Sequence, residues 1–132
     1  MDMSSLQKMS TTKVIAKNSI VINEGDDMPH SMYIVLRGSV RVVKNYGKFD
    51  QVVVANLVAG DFFGEMSLFL LKPRTATVVT AEDSVLLEIN QSNLYELIHE
   101  SPQMLFTILK TLCKRIDELN DRVRSISKYK QK

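Results

Sequence analysis

The sequence of 132 residues has one cysteine, two histidines and a formal net charge of only +2. The lone cysteine, Cys113, excludes an intramolecular disulfide, so the sequence does not point to an oxidising compartment. The two histidines, His30 and His99, are too few for the histidine-rich metal centre of barrel-shaped enzymes, and we expect no metal. The small net charge gives no strong attraction to nucleic acid or to a membrane surface.

Long apolar runs and catalytic motifs are also absent. No apolar stretch approaches the roughly 20 residues that a membrane span needs, and the polar N-terminus lacks the apolar core of a secretory signal. We therefore expect a cytoplasmic protein without a membrane segment. No GxSxG, P-loop or HExxH pattern occurs, and no acid–base or nucleophile cluster is visible, so we expect no catalytic residues and no enzymatic activity.

The pattern of the chain changes twice. Residues 1–13 are polar, which predicts a loose N-terminal arm. Residues 14–101 begin with short apolar stretches separated by turn residues, and Gly47 in the segment NYGK is typical of a hairpin turn. Short strands at such regular spacing predict a β-sandwich or barrel. After Ile89 the apolar period becomes helical, which predicts a short helix that caps the β region.

Residues 102–132 are predicted to form one long C-terminal helix with a basic tail, because Ser101 and Pro102 are a helix start signal and no glycine or proline follows. Its apolar residues recur at alternating steps of 4 and 3, as in a heptad seam. Isoleucine or valine at a with leucine at d favours a parallel two-stranded coil. We expect the first turns, at Leu105 and Leu109, to lie on the β region. The remaining five seam residues would form a homodimer: Leu112, Ile116, Leu119, Val123 and Ile126.

The positions that flank this seam offer no charge pairs. Arg115 and Arg122 lie at g, but Cys113 and Asn120, the e positions that would face them, are uncharged. A dimer would therefore rest on the apolar seam alone. The alternative is a helix that lies along its whole length on its own β region.

The segment 60–79 carries the clearest chemistry of the chain. Gly64 permits a tight turn and a close backbone approach, and Glu65 and Arg74 are isolated charges between apolar runs. Arginine can meet a phosphate with two parallel hydrogen bonds, whereas a glutamate suits a ligand with hydroxyl donors, such as a ribose. The alternative is an ordinary surface pair, worth less than about 1 kcal/mol.

This segment, FGEMSLFLLKPRTATV, resembles the phosphate-binding cassette of cyclic nucleotide-binding domains, the sensor domains of the catabolite activator protein and of protein kinase A regulatory subunits. The pattern F-G-E-apolar-small-L followed by P-R-x-A is complete: Phe63, Gly64, Glu65, Met66, Ser67, Leu68, Pro73, Arg74 and Ala76. The resemblance covers roughly residues 14–126. It implies a mainly β fold with C-terminal helices, in which a double-stranded β-helix (jelly-roll) barrel precedes a long helix of the dimerisation type.

The resemblance also implies individual roles. Glu65 would accept a hydrogen bond from the ribose 2′-OH, and Arg74 would pair with the cyclic phosphate. Backbone N–H groups around Ser67 and Thr75 would help to hold the phosphate, and Thr75 lies where family members vary in base preference. The remaining expected contacts are Gly64, Met66 and Ala76 in the cassette, Val42 and Val54 beside the base and sugar, and Asn120 near the purine.

The function that this resemblance implies is a regulatory sensor. It would bind a cyclic purine nucleotide, cyclic AMP in preference to cyclic GMP, and relay binding through the C-terminal helix and dimer. An effector protein would be a further partner. Two alternatives stay open: the sensor fragment of a transcription regulator that lacks its helix-turn-helix, since only six residues follow Ile126, or a nucleotide-independent interaction module.

Overall fold

The computed structural model describes residues 11–130, with the side chains of residues 11–126. The strands of this part of the chain precede a long helix. They are β1 (Thr11–Ile15), β2 (Ile20–Ile22), β3 (Met32–Arg37), β4 (Ser39–Lys44), β5 (Val52–Val58), β6 (Phe62–Phe63), β7 (Thr77–Thr80) and β8 (Ser84–Ile89).

The strands form two four-stranded sheets in which every pair is antiparallel. The first sheet has the order β1-β8-β3-β6 and the second the order β2-β7-β4-β5. The chain crosses between the sheets several times, as in a jelly roll. The predicted mainly β fold with C-terminal helices is therefore confirmed, as two packed sheets.

The two central strands of the first sheet, β3 and β8, are buried on both faces, which explains their apolar character. Tyr33 and Val35 of β3 face the second sheet, where they pack with Val40 and Val78. Met32, which alternates with them along β3, faces the helices. One core therefore lies between the sheets, and another lies between the first sheet and the helices.

The predicted arm, residues 1–13, does not stay separate from the β region. Its last residues lie in β1, which pairs with β8 along its whole length, and Lys13 forms an ion pair with Glu88 at 3.1 Å. β1 is an edge strand whose side chains are mostly exposed, so backbone hydrogen bonds hold it without an apolar pattern. The earlier part of the arm lies outside the described residues.

The hairpin predicted at NYGK is confirmed, since β4 and β5 pair through it. Gly47 and Asn45 both have positive φ, at 80° and 56°, and glycine and asparagine are the residues that accept this conformation.

Three helices belong to the described residues: α1 (Glu65–Leu70), α2 (Gln91–Glu100) and α3 (Pro102–Lys130). α2 begins with a reciprocal cap, in which the side chains of Asn90 and Asn93 each accept a hydrogen bond from the other's backbone N–H. α3 begins at Pro102, as its start signal predicts. Within the described part of the chain, no helix is long and apolar enough to cross a membrane.

The face of α3 that packs on the β region differs from the predicted one. Met104 and Ile108 are buried there, whereas Leu109 is 51% exposed, so the prediction for Leu109 was wrong. Leu105 is half-buried and Leu112 packs against the edge of the core. The reason is that the first turns of α3 carry two adjacent apolar stripes, and the connection from α2 decides which one faces the sheet. Four seam residues beyond Leu112 are 55–60% exposed: Ile116, Leu119, Val123 and Ile126.

Candidate functional site

A cavity of about 260 Å³ opens beside α1, between the second sheet and α3. Its apolar wall comes from strands of the second sheet and from β6 of the first, and α1 with the segments that flank it supplies the polar side. Arg115 of α3 closes one edge. The lining residues from the strands are Ile22, Val42, Ala55, Leu57, Phe62, Phe63 and Val78; those from the cassette are Gly64, Glu65, Met66, Ser67, Pro73, Arg74, Thr75 and Ala76.

Arg74 is the buried cation of this cavity, with 4% of its surface exposed. Its Nη1 donates to the carbonyls of Ser31 (2.8 Å) and Gly64 (3.3 Å), and its Nη2 donates to the carbonyl of Pro29 (2.6 Å). Among residues 11–126, no carboxylate forms an ion pair with it. A buried charge that lacks a counter-charge is costly, so this arrangement favours an anionic ligand.

The electrostatics of Arg74 agree with its burial. Burial lowers the pKa of the Arg74 guanidinium below its ordinary value, an effect that Tyr33 and Glu88 partly oppose. Arginine nevertheless remains protonated in proteins. The cavity therefore contains a permanent positive charge that the protein itself does not neutralise with a direct ion pair.

Gly64 is required by the close approach of Arg74. Its φ is 82°, and a Cβ at this position would lie 2.9 Å from both Arg74 Nη1 and the Ser31 carbonyl oxygen. Any side chain would therefore have to displace the guanidinium or the β3 backbone, besides adopting a strained conformation. The glycine of the cassette thus lets the chain turn into α1 while its own carbonyl holds the arginine.

Glu65 points to α3 rather than to Arg74. Its Oε1 accepts a hydrogen bond of 2.7 Å from Arg115 Nη1, and Arg115 Nη2 donates to the Phe62 carbonyl at 2.9 Å. The Arg115 guanidinium also lies 4.6 Å from the centre of the Phe62 ring, a cation–π contact. Within the described residues, Glu65 Oε2 has no hydrogen-bond partner, so that oxygen is available to a hydroxyl in the cavity.

Ser67 and Thr75 both line the cavity but differ in burial. Ser67 is buried, and its Oγ lies 2.9 Å from Nδ1 of His30. Thr75 is exposed at the rim, where Lys44 Nζ holds its carbonyl at 2.5 Å. The serine is thus a buried residue of the cavity wall, whereas the threonine is an exposed one.

Eight of the ten residues predicted to contact a ligand line this one cavity: Val42, Gly64, Glu65, Met66, Ser67, Arg74, Thr75 and Ala76. Val54 and Asn120 do not. Val54 is the extra residue of a β-bulge, since Val42 pairs with Ala55 and Val43 pairs with Val53, and its side chain is 53% exposed. Asn120 is exposed on α3, about 7.5 Å further along the axis than Arg115.

Sequence reasoning missed several lining residues. Strand alternation along β5 indicates Ala55 and Leu57, the half-buried positions of an otherwise exposed strand. Arg115 has a subtler signal: at g of the predicted coil it faces an uncharged e position, so its charge needs another partner. That partner, Glu65, is 50 residues away in the chain.

The fold and the cavity together define a jelly-roll domain whose cavity contains a buried arginine, as a binding site for a small anion requires. Residues 12–101 match the family model described as "Cyclic nucleotide-binding domain". The chain belongs to the cyclic nucleotide-binding domain family, as its cassette predicted. It is a sensor domain of the CRP-like type, and family membership implies a cyclic nucleotide as its ligand.

Three similar proteins illustrate the breadth of the family. The potassium channel AKT2 of Oryza sativa subsp. japonica is 29% identical over 114 residues, which are 86% of this chain and 13% of the channel. The cAMP-activated global transcriptional regulator CRP of Haemophilus influenzae is 29% identical over 110 residues, 83% of this chain and 49% of the regulator. A crystal structure of the Thermus thermophilus catabolite activator protein superposes with a TM-score of 0.81 at 25% identity, over 94% of this chain and 57% of that one. The chain thus spans less than half the length of either curated relative.

Proposed function

We propose that this chain binds cyclic AMP as a regulatory ligand and is not itself an enzyme. The observation that carries the proposal is Arg74, which is 4% exposed and bonded only to backbone carbonyls within the described residues. The cyclic phosphate would supply the missing negative charge. The ribose 2′-OH would donate to Glu65 Oε2. The carboxylate would then face the sugar rather than the phosphate, which would otherwise repel it.

The size and charge of the cavity support a mononucleotide. One buried guanidinium matches one phosphate, and a volume of about 260 Å³ is slightly below the usual range for ligand pockets, as expected for a small ligand. The apolar wall formed by Val42, Ala55 and Leu57 offers a surface for the sugar and base.

The preference for adenine over guanine that we propose rests on a relative of this chain. The Haemophilus influenzae relative is named as a cAMP-activated regulator, which favours cyclic AMP as the ligand of this chain. Thr75 favours cyclic GMP as the second candidate, because its exposed hydroxyl at the rim could accept from the 2-amino group of guanine.

The relay that we propose runs through Arg115. Its guanidinium joins Glu65 and the Phe62 carbonyl to α3, so a ligand that engages Glu65 acts directly on the contact that holds this helix. The exposed seam begins at Ile116, the next residue. Binding could therefore shift α3 between two arrangements in a homodimer, and an effector protein would respond to that change.

Calorimetric titration of the full chain tests the proposal. Cyclic AMP should bind with a dissociation constant in the micromolar range or below, cyclic GMP should bind more weakly, and adenosine without phosphate should give no measurable heat. The adenosine control separates phosphate recognition from nonspecific contact with the apolar wall. The absence of binding by both cyclic nucleotides at millimolar concentration would reject the proposal and leave the interaction module as the better hypothesis.

A further inference from the structure

His30 lies behind the anion site, in the loop between β2 and β3. Its Nδ1 is 2.9 Å from Oγ of Ser67, the buried serine that lines the cavity. The residues on either side of His30, Pro29 and Ser31, supply two of the carbonyls that hold Arg74. The same loop thus contacts both the cation and the hydroxyl of the cavity.

The proton on this imidazole decides what Ser67 can offer to a ligand. A hydroxyl group has a single proton to donate. When Nδ1 carries no proton, it accepts the Ser67 proton, and the hydroxyl presents only lone pairs to the cavity. When Nδ1 is protonated, it donates to Oγ, and the Ser67 proton can be given to an anion. A protonated His30 therefore converts Ser67 from a repulsive neighbour of a phosphate into a donor.

The charged groups around His30 make this exchange sensitive to a bound anion. On its own loop, Asp27 Oδ1 lies 3.9 Å from Nε2. From the segment before β7, the Arg74 cation contacts the same loop through the carbonyls of Pro29 and Ser31. On α1, Glu65 is already paired with Arg115 of α3. A phosphate bound to Arg74 would place a negative charge next to Ser67 and the His30 loop, and a nearby negative charge favours a protonated imidazole.

We propose that His30 is a positioning residue that couples anion binding at Arg74 to the uptake of one proton, with Ser67 as the link. This inference rests on the proposed function, because it assigns a regulator to the same site. Phosphate binding and protonation of His30 favour each other, so affinity rises as pH falls through the range in which imidazoles titrate. Neither the phosphodiester nor the adenine of cyclic AMP changes its charge in that range.

Calorimetry of the full chain with cyclic AMP, in buffers of different ionisation enthalpy, measures the proton uptake directly. We expect the dissociation constant to fall about tenfold between about pH 8 and about pH 5.5, the effect of one charge-assisted hydrogen bond. His30→Gln should bind with little pH dependence and take up no proton. His99→Gln changes an exposed histidine at the end of α2 and should behave as the wild type does.

The alternative is that His30 only supports the loop that holds Arg74. In that case His30→Gln would weaken binding by the same factor at every pH, and this outcome would overturn the inference, as would wild-type binding without proton uptake. An NMR titration of the wild-type His30 imidazole needs no variant, so it is independent of any folding defect. Its midpoint should move to higher pH when cyclic AMP is added, and an unchanged midpoint would contradict the coupling. If cyclic AMP and cyclic GMP fail to bind at any pH, the proposed function fails and this inference with it.

Discussion

Backbone carbonyls of Pro29, Ser31 and Gly64 hold the guanidinium of Arg74 from three directions. These carbonyls come from two separate segments, so the position of the cation is fixed by the fold before a ligand arrives. A group that needs no rearrangement on binding loses little entropy, and its interaction with the ligand is correspondingly strong. At the scale of single residues, this cage is the feature on which recognition depends.

Arg74→Lys should therefore weaken binding although the charge is kept. A lysine ammonium cannot reproduce the planar fork that reaches three carbonyls and a phosphate together, and we expect a loss of about 2–5 kcal/mol in binding free energy. Calorimetry with cyclic AMP measures this loss. Arg41→Lys is the matched control, because Arg41 is exposed on β4 and does not line the cavity. Equal affinities of the Arg74 and Arg41 variants would refute the role proposed for Arg74.

The sequence predicted the local part of the cavity and missed the part that comes from distant residues. Gly64, Glu65 and Arg74 belong to one short stretch, and their spacing places them together around α1. Arg115 reaches the cavity from 50 residues after Glu65, and His30 contacts the lining residue Ser67 from 37 residues before it. Contacts over such separations depend on how the sheets pack and where α3 emerges, and no local pattern encodes them.

At the scale of elements, α3 passes through three different environments along its length. Met104 and Ile108 are buried against the first sheet, Arg115 then contacts the cavity wall, and residues 116–126 are exposed. The ion pair with Glu65 thus lies where the helix leaves the β region. A contact at this point of α3 would restrain the movement of the helical residues that follow it.

Arg115→Gln should loosen α3 and uncouple it from the ligand, because glutamine cannot keep the ion pair, the Phe62 carbonyl bond and the cation–π contact together. Hydrogen exchange measured by mass spectrometry should show faster exchange in the middle of α3, while the strands of the first sheet stay unchanged. Cyclic AMP should alter exchange in α3 of the wild type but not of this variant. Arg122→Gln, an exposed arginine one heptad later, provides the control. Identical exchange in the two variants would contradict the proposed relay.

The bounds of an element were predicted correctly where one apolar period is present. The direction of a side chain was predicted wrongly where a bulge or a second apolar stripe competes with that period. β8 ends at Ile89, where the apolar period changes, and α3 starts at its proline. The bulge at Val54 shifts the β5 register by one residue, so a residue expected beside the sugar faces away from the cavity. Leu109 belongs to the heptad seam, but the turn from α2 directs the neighbouring Ile108 into the core.

For the molecule as a whole, the exposed seam is the main unpartnered apolar surface of α3. Ile116, Leu119, Val123 and Ile126 keep between 55% and 60% of their surface exposed and recur at heptad spacing. Pairing with a second copy would remove this surface from water, at about 25 cal/mol for each Å² of apolar area. This is the basis for the homodimer that we propose.

Sedimentation equilibrium of the full chain should detect a dimer at micromolar concentration. Leu119→Lys combined with Val123→Lys should give a monomer with unchanged folding of the β region, because buried like charges would face each other across the seam. Glu118→Lys is the control, since it changes the charge at an exposed position beside the seam. The dimer should also persist at high salt because its pairing is apolar. A monomeric wild type at all concentrations would reject the dimer.

The single cysteine has a practical consequence. Cys113 is exposed on α3, two residues before Arg115, and the sequence holds no other thiol. A maleimide dye would therefore attach at one defined position, without any prior removal of competing cysteines. Two residues correspond to about 200° around the helix and about 3 Å along it, so the dye would sit away from the cavity mouth. A labelled preparation could report motion of α3 in real time and serve as a fluorescent biosensor for cyclic nucleotides.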